Sequence, residues 1–119
     1  MDVGFLHGDL LKPFAGAKAN YLVCNPPYIA EHEFPNLGIE VRDFEPRGAL
    51  VSGPSGLEVY ARLAADLKGF LTPSANVWFE IGNTQGPAIC EFFKRAGWVT
   101  CKVEKDWAGK DRFFFLENE

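Results

Sequence analysis

The stretch YLVCNPPY, Tyr21 to Tyr28, sets a short apolar run against an asparagine, two prolines and a tyrosine. An uninterrupted apolar run of this kind reads as a strand buried in a parallel sheet. The exit from that strand is not an ordinary turn, which would use glycine, aspartate or a single proline. Pro27 biases Pro26 toward extended geometry, so Asn25-Pro26-Pro27-Tyr28 is stiff and has little freedom to lose on binding. A rigid amide, a carbonyl that no helix or ladder uses and an aromatic ring, all at a strand exit, suggest a site.

The neighbouring sequence supplies the sheet. Residues 29–53 show no sustained periodicity, and loops of that length in compact domains are usually functional or mobile. Ser55 and Glu58 then have the spacing of a capping box. Leu57, Tyr60, Ala64, Leu67 and Leu71 come next at helical spacing, with Gly69 or Pro73 as the stop. Residues 76–81 (NVWFEI) read as another buried strand. Asn83 or Thr84 can cap a second helix that turns Ile89, Phe92, Phe93 and Ala96 inward and stops at Gly97. Residues 98–104 and 112–117 read as two strands joined by KDWAGKD, a connection too short for a crossover and therefore antiparallel. At the start, MDVGFL (residues 1–6) reads as the tail of a short strand, with His7-Gly8-Asp9 as its exit. The predicted class is α/β, a parallel sheet finished by an antiparallel hairpin. Ligands of such sheets lie beyond the carboxyl ends of the strands, where Asn25 to Tyr28, His7-Gly8-Asp9 and Glu80-Ile81-Gly82 all fall.

Composition narrows the function. The 119 residues are 47% hydrophobic, with eleven phenylalanines and three tryptophans, enough for one compact domain or part of one. A formal net charge of −4 gives no support for nucleic acid as a direct partner. No segment has the length or apolarity of a membrane span, and no signal-peptide layout opens the chain. Cys24, Cys90 and Cys101 sit in apolar runs and read as reduced packing residues of a cytoplasmic protein. His7 and His32 have no ligand spacing to each other or to the cysteines, so no metal site is expected.

Asn25 offers a side-chain acceptor and Pro26 a carbonyl acceptor. Two acceptors at fixed separation suit a planar NH2 group. Holding both hydrogens leaves the nitrogen's reactive face pointing at whatever lies opposite, while Tyr28 packs against the flat group. The plainer alternative is a rigid strand exit with a packed tyrosine. Glu45 is expected to bond loop backbone and Glu80 to bond backbone amides. Asp106, Lys110 and Arg112 are expected to make solvated turn pairs.

NPPY behind an apolar strand resembles the signature of amino methyltransferases, which use S-adenosylmethionine on adenine, cytosine or glutamine amide nitrogens. With RDFEPRGAL from Arg42, SGLEVYARL from Ser55, EIG at Glu80 and KDWAGKDR before the last strand, the chain resembles the HemK-type release factor glutamine methyltransferases. That resemblance implies a Rossmann-like class I methyltransferase sheet. It implies a substrate in the glutamine of the Gly-Gly-Gln motif of class 1 peptide release factors, held by Asn25, Pro26, Pro27 and Tyr28, with Asn25, Pro26 and Tyr28 as the catalytic set. Asp9, Leu10 and Asn25 match positions bordering the cofactor, S-adenosylmethionine, though Leu10 stands where some members carry an aromatic residue. The family's glycine-rich cofactor loop, its acidic ribose-binding residue and its N-terminal helical domain have no counterpart here. Residues 1–119 are therefore read as the C-terminal part of the catalytic domain. Such a part either needs the missing half for activity or serves as a non-catalytic binding module. Methylation of a ribosomal-protein glutamine ranks lower on the FEP-type flank, and methylation of adenine in nucleic acid ranks lower on charge. A sheet cut in this way is expected to expose the edge of residues 21–24, which could pair with a second copy.

Overall fold

The computed structural model describes residues 2–119. Four strands, β1 (Ala19–Cys24), β2 (Leu71–Glu80), β3 (Thr100–Lys105) and β4 (Asp111–Glu117), form one sheet in the order β1-β2-β4-β3. β1 runs parallel to β2, and the β3–β4 hairpin adds β4 antiparallel to β2. The α/β class and the terminal hairpin are as the sequence predicts.

Three α-helices complete the fold: α1 (Ile39–Phe44), α2 (Glu58–Asp66) and α3 (Gly86–Arg95). On β2 Val77 and Phe79 are buried, with Ile81 just beyond its end, and Phe114 and Leu116 join them from β4. Tyr60, Leu63 and Ala64 of α2, with Leu67 beyond it, and Ile89 and Phe93 of α3 close this core. Strand period two and helix period near four thus meet along one layer of side chains. Phe79, Phe93 and Phe114 lie with ring centroids 5.5–6.3 Å apart, in the range where aromatic pairs add to plain burial.

Several expectations need correction. Tyr21 and Val23 are 69% and 80% exposed, so β1 is not a fully buried strand. It is the sheet edge, paired only with β2, as the reading of a cut sheet expects. Trp78 on β2 is also partly exposed, at 39%, with Tyr21 and Phe115 beside it at 6.5 and 5.1 Å. Residues 2–7 form no strand, and Val3, Phe5 and Leu6 stay exposed. A lone extended segment without a ladder partner has no reason to hold strand geometry. Met1 lies outside the described residues.

The first long helix ends at Asp66 and tightens into a 3-10 turn, Leu67–Phe70, so Leu71 opens β2 instead of continuing the stripe. Its cap also differs. Glu58 does reach back to the Ser55 N–H, at 3.1 and 3.2 Å. The Ser55 hydroxyl, however, accepts from the Leu57 N–H, and Ser52 Oγ takes the Val59 N–H at 2.9 Å. Neither Asn83 nor Thr84 caps α3: Gln85 occupies that place and Pro87 stands inside the first turn. Ala96 is exposed, while Gly97 ends the helix at φ +93 as expected. Residues 29–53 are not one irregular loop. They hold α1 and two 3-10 turns, Glu31–Asn36 and Arg47–Ala49, each too short to leave a periodic signature.

Candidate functional site

Because β1 and β2 are parallel, Asn25 and Glu80 leave the sheet on the same side. β4 runs the other way, so its beginning lies there too: Glu80 pairs with Phe113, and the Ile81 N–H donates to the Arg112 carbonyl at 2.8 Å. Three strand ends therefore converge on one edge. A cleft of about 270 Å³ opens there, walled by Asn25, Pro26, Pro27 and Tyr28 on one side and by Val41, Glu45, Leu50 and Glu80 on the others.

The NPPY segment is held from behind. Gln85, at the start of α3, donates from Nε2 to the Tyr28 carbonyl at 2.8 Å and to the Gly56 carbonyl at 3.3 Å. Its Oε1 accepts the Gly82 N–H at 3.0 Å. The Ile29 N–H donates to the Leu50 carbonyl, and the Ser52 N–H returns to the Ile29 carbonyl, at 3.0 and 2.9 Å. Gly56 is in the left-handed region at φ +81, and a Cβ there would lie 2.6 Å from the Tyr28 carbonyl oxygen. Only glycine fits so close to that backbone.

At the front, the Asn25 side chain and the Pro26 carbonyl have no hydrogen-bond partner among the described residues. Pro26 is buried and Asn25 exposed, so a fixed backbone carries an amide that solvent or substrate can reach. The Tyr28 hydroxyl donates to Glu80 Oε1 at 3.2 Å and accepts from Arg112 Nη1 at 3.4 Å. Arg112 also faces Glu80 Oε1 at 3.7 Å and, through Nε, Asp106 Oδ2 at 3.3 Å. Burial and the adjacent Glu80 carboxylate push the Tyr28 phenol above its ordinary value, against a smaller pull from Arg112. The ring stays a neutral donor. The buried Tyr60 hydroxyl, in turn, fixes the Glu80 carbonyl at 2.6 Å.

Glu80 is thus satisfied by side chains and not by backbone amides, since a side chain at a strand terminus meets its neighbours' ends before any free N–H. The expected Asp106–Arg112 turn pair forms, but it is not solvated: both side chains are half-buried, and Arg112 reaches past it to Tyr28 and Glu80, which line the cleft. Glu45 lines the cleft and makes no hydrogen bond to loop backbone. The supporting roles of Gln85, Tyr60, Ser52 and Gly56 escape sequence reasoning. A tyrosine on an otherwise apolar helix stripe, whose hydroxyl needs a partner when buried, is the available signal.

The expected cofactor set is not brought together. Asp9 pairs with Arg62 at 2.5 Å and with Lys12 at 3.6 Å, and its carboxyl is held below the usual range chiefly by the Arg62 hydrogen bond. Leu10 has a positive φ of 49 and lines cavities with Leu11 and Leu63, away from the one that Asn25 lines. The cysteines are free and pack beside the core, and burial with Cys90 alongside pushes the Cys101 thiol to about 11. Among the described residues no helix is long and apolar enough to cross a membrane.

No family model matches the chain. Curated relatives do. It is 49% identical over 117 residues to the release factor glutamine methyltransferase of Chlamydia trachomatis (serovar D), covering 98% of this chain and 40% of that protein. The chain matches the C-terminal part of release factor glutamine methyltransferases. The enzymes of that name from Enterococcus faecalis and Bacillus subtilis are 38% and 43% identical over 97% and 93% of this chain. The chain spans about two fifths of the length of these methyltransferases. A solved structure described as a release factor-specific protein-(glutamine-N5) methyltransferase, from Alicyclobacillus acidocaldarius, aligns over 87% of this chain and 83% of that chain, at 16% identity and a TM-score of 0.49.

Proposed function

We propose that the cleft at Asn25 to Tyr28 binds the side-chain amide of a glutamine, and that a protein carrying this chain methylates it. The substrate is the glutamine of the Gly-Gly-Gln motif in class 1 peptide release factors, the methyl source is S-adenosylmethionine, and the setting is cytoplasmic translation termination. The observation that carries the reading is the pair of unengaged acceptors, Asn25 Oδ1 and the Pro26 carbonyl, on a backbone that Gln85 and Gly56 hold in place. They take the two N–H hydrogens of the amide, and Tyr28 walls its plane. The nitrogen is then presented in one orientation, which is where such sites obtain much of their rate.

Among the described residues, Asp9 and Leu10 do not line the cavity that Asn25 lines. Asp9 pairs instead with Arg62 and Lys12. The cleft residues account for the acceptor half of the chemistry, binding and orienting the amide.

The test is titration of 15N-labelled chain with a Gly-Gly-Gln peptide, a Gly-Gly-Ala peptide and adenosine. Shifts at the Asn25 backbone and side-chain amides and at the Tyr28 amide are expected with the first alone, and Asn25→Ala should weaken binding about tenfold. In a full-length enzyme the same substitution should lower turnover by about 100- to 1,000-fold. Equal shifts with the alanine peptide would remove the glutamine from the reading, and shifts with adenosine alone would turn it toward a nucleobase.

A further inference from the structure

We propose that Arg112, held by Asp106 of the β3–β4 loop, is a positioning residue for the acceptor amide, fixing the Tyr28 ring and the Glu80 carboxylate as the wall of the Asn25–Pro26 pocket. The proposal rests on the glutamine reading for its purpose, but its geometry stands apart from any substrate.

The loop is built around Asp106. Its Oδ1 accepts the N–H groups of Ala108 and Lys110 at 2.9 and 3.1 Å, and the Asp106 N–H donates to the Lys110 carbonyl at 2.8 Å. That arrangement shapes a tight connection with Gly109 at φ +81, and it leaves Oδ2 free to meet Arg112 Nε. The guanidinium is planar and its donors are fixed, so holding Nε aims Nη1. Nη1 meets two atoms at once, the Tyr28 hydroxyl and Glu80 Oε1. The Arg112 side chain is 34% exposed, as is that of Glu80, so the pair sits between core and water. Without the cation, an uncompensated Glu80 carboxylate would stand beside the phenol at a half-buried wall, and the phenol would have one oriented partner in place of two. Tyr28 would then be free to turn, and it is part of the same stiff segment as the two acceptors. A lysine could meet one of these partners but not hold all three.

Arg112→Gln, Arg112→Lys and Asp106→Asn test this, with thermal unfolding as the control for folding. Asp106→Asn keeps an oxygen for the two loop amides and sets an NH2 donor where Oδ2 accepted from Nε, so both that hydrogen bond and its charge are lost. Two readouts are needed. One is the affinity of the Gly-Gly-Gln peptide, expected to fall about tenfold in Arg112→Gln and less in Arg112→Lys and Asp106→Asn. The other is the ring signals and ionisation of Tyr28, followed by NMR without peptide. The charged groups at Tyr28 are Glu80 from β2 and Arg112 from β4, with the Tyr60 phenol of α2 the nearby titratable neighbour. Loss of Arg112 should raise the pH at which Tyr28 ionises and average its ring signals. Should the parent chain bind no peptide, the glutamine reading fails while the Tyr28 readout still decides this proposal. Unchanged Tyr28 signals and ionisation in a folded Arg112→Gln chain would overturn it.

Discussion

Gly56→Ala is the sharpest single test of how the cleft is held. Gly56 is buried, and its φ of +81 already disfavours a side chain. The left-handed conformation alone costs alanine about 1–2 kcal/mol. The added Cβ would meet the Tyr28 carbonyl oxygen at 2.6 Å, the Ala30 nitrogen at 3.1 Å and Gln85 Nε2 at 3.1 Å. Two of these are backbone atoms that cannot swing aside, so the NPPY segment or the start of α2 must move. The Gln85 bonds to Tyr28 and Gly56 would stretch with it, at about 0.5–1.5 kcal/mol each. The sum is about 2–5 kcal/mol, or roughly 10–20 °C in Tm for a domain of this size. Thermal and urea unfolding of the purified chain measure it, with Gly48→Ala as the control, since a Cβ at Gly48 meets nothing within 4 Å. Peptide binding should weaken more than stability, because the displaced atom belongs to the pocket wall. A Tm within about 2 °C of the parent would refute the account of Gly56 as the fixed point behind Tyr28.

Acid should loosen the same region in a definite direction. The Asp106 carboxyl is held below its usual range by the Lys110 and Ala108 amides and by Arg112, and that of Asp9 is held low by Arg62. The unfolded chain therefore takes up these protons first as pH falls. The stabilisation is complete above the ordinary value of 3.8 and lost as pH drops through the depressed folded values, so Asp106→Asn should flatten the acid limb of a Tm-against-pH profile. An unpaired β1 edge with exposed Tyr21 and Val23 should bring two copies together, visible as concentration-dependent sedimentation. Val23→Lys should weaken that association at least about tenfold, and a parent chain that stays monomeric throughout would contradict it.

The range of each interaction decides how legible it is in the sequence. β2, α3 and the β3–β4 hairpin show themselves in periodicity, and Gly97 marks a stop, because these are local patterns read within a few residues. The burial of β1 is misjudged because a run of apolar residues looks the same at a sheet edge as at its centre. The run does not encode which neighbour lies beside it. Leu71 falls on the helix stripe by spacing, yet the chain tightens at Leu67 and turns into β2, where Leu71 is buried all the same. The hydrophobic requirement is right there and the backbone is wrong.

The site divides along the same line. Asn25 to Tyr28 can be found because their stiffness is intrinsic to two adjacent prolines and needs no partner to be noticed. The residues that hold them are far away in the chain: Gln85 reaches Tyr28 across 57 positions and Arg112 across 84. Only topology joins them. Once β1 and β2 are parallel and β4 antiparallel, residue 112 must return to the edge where residues 25 and 80 leave it. Local charge spacing in KDWAGKDR finds the Asp106–Arg112 pair but not its half-burial or the reach of Arg112 to Tyr28 and Glu80, because strand direction decides where the arginine goes. Asp9 lies apart from the cleft, its carboxylate paired with Arg62 of α2. Strand ends converging on one end of the sheet make the cleft a property of the fold, and they assign its support to whichever side chains those ends carry.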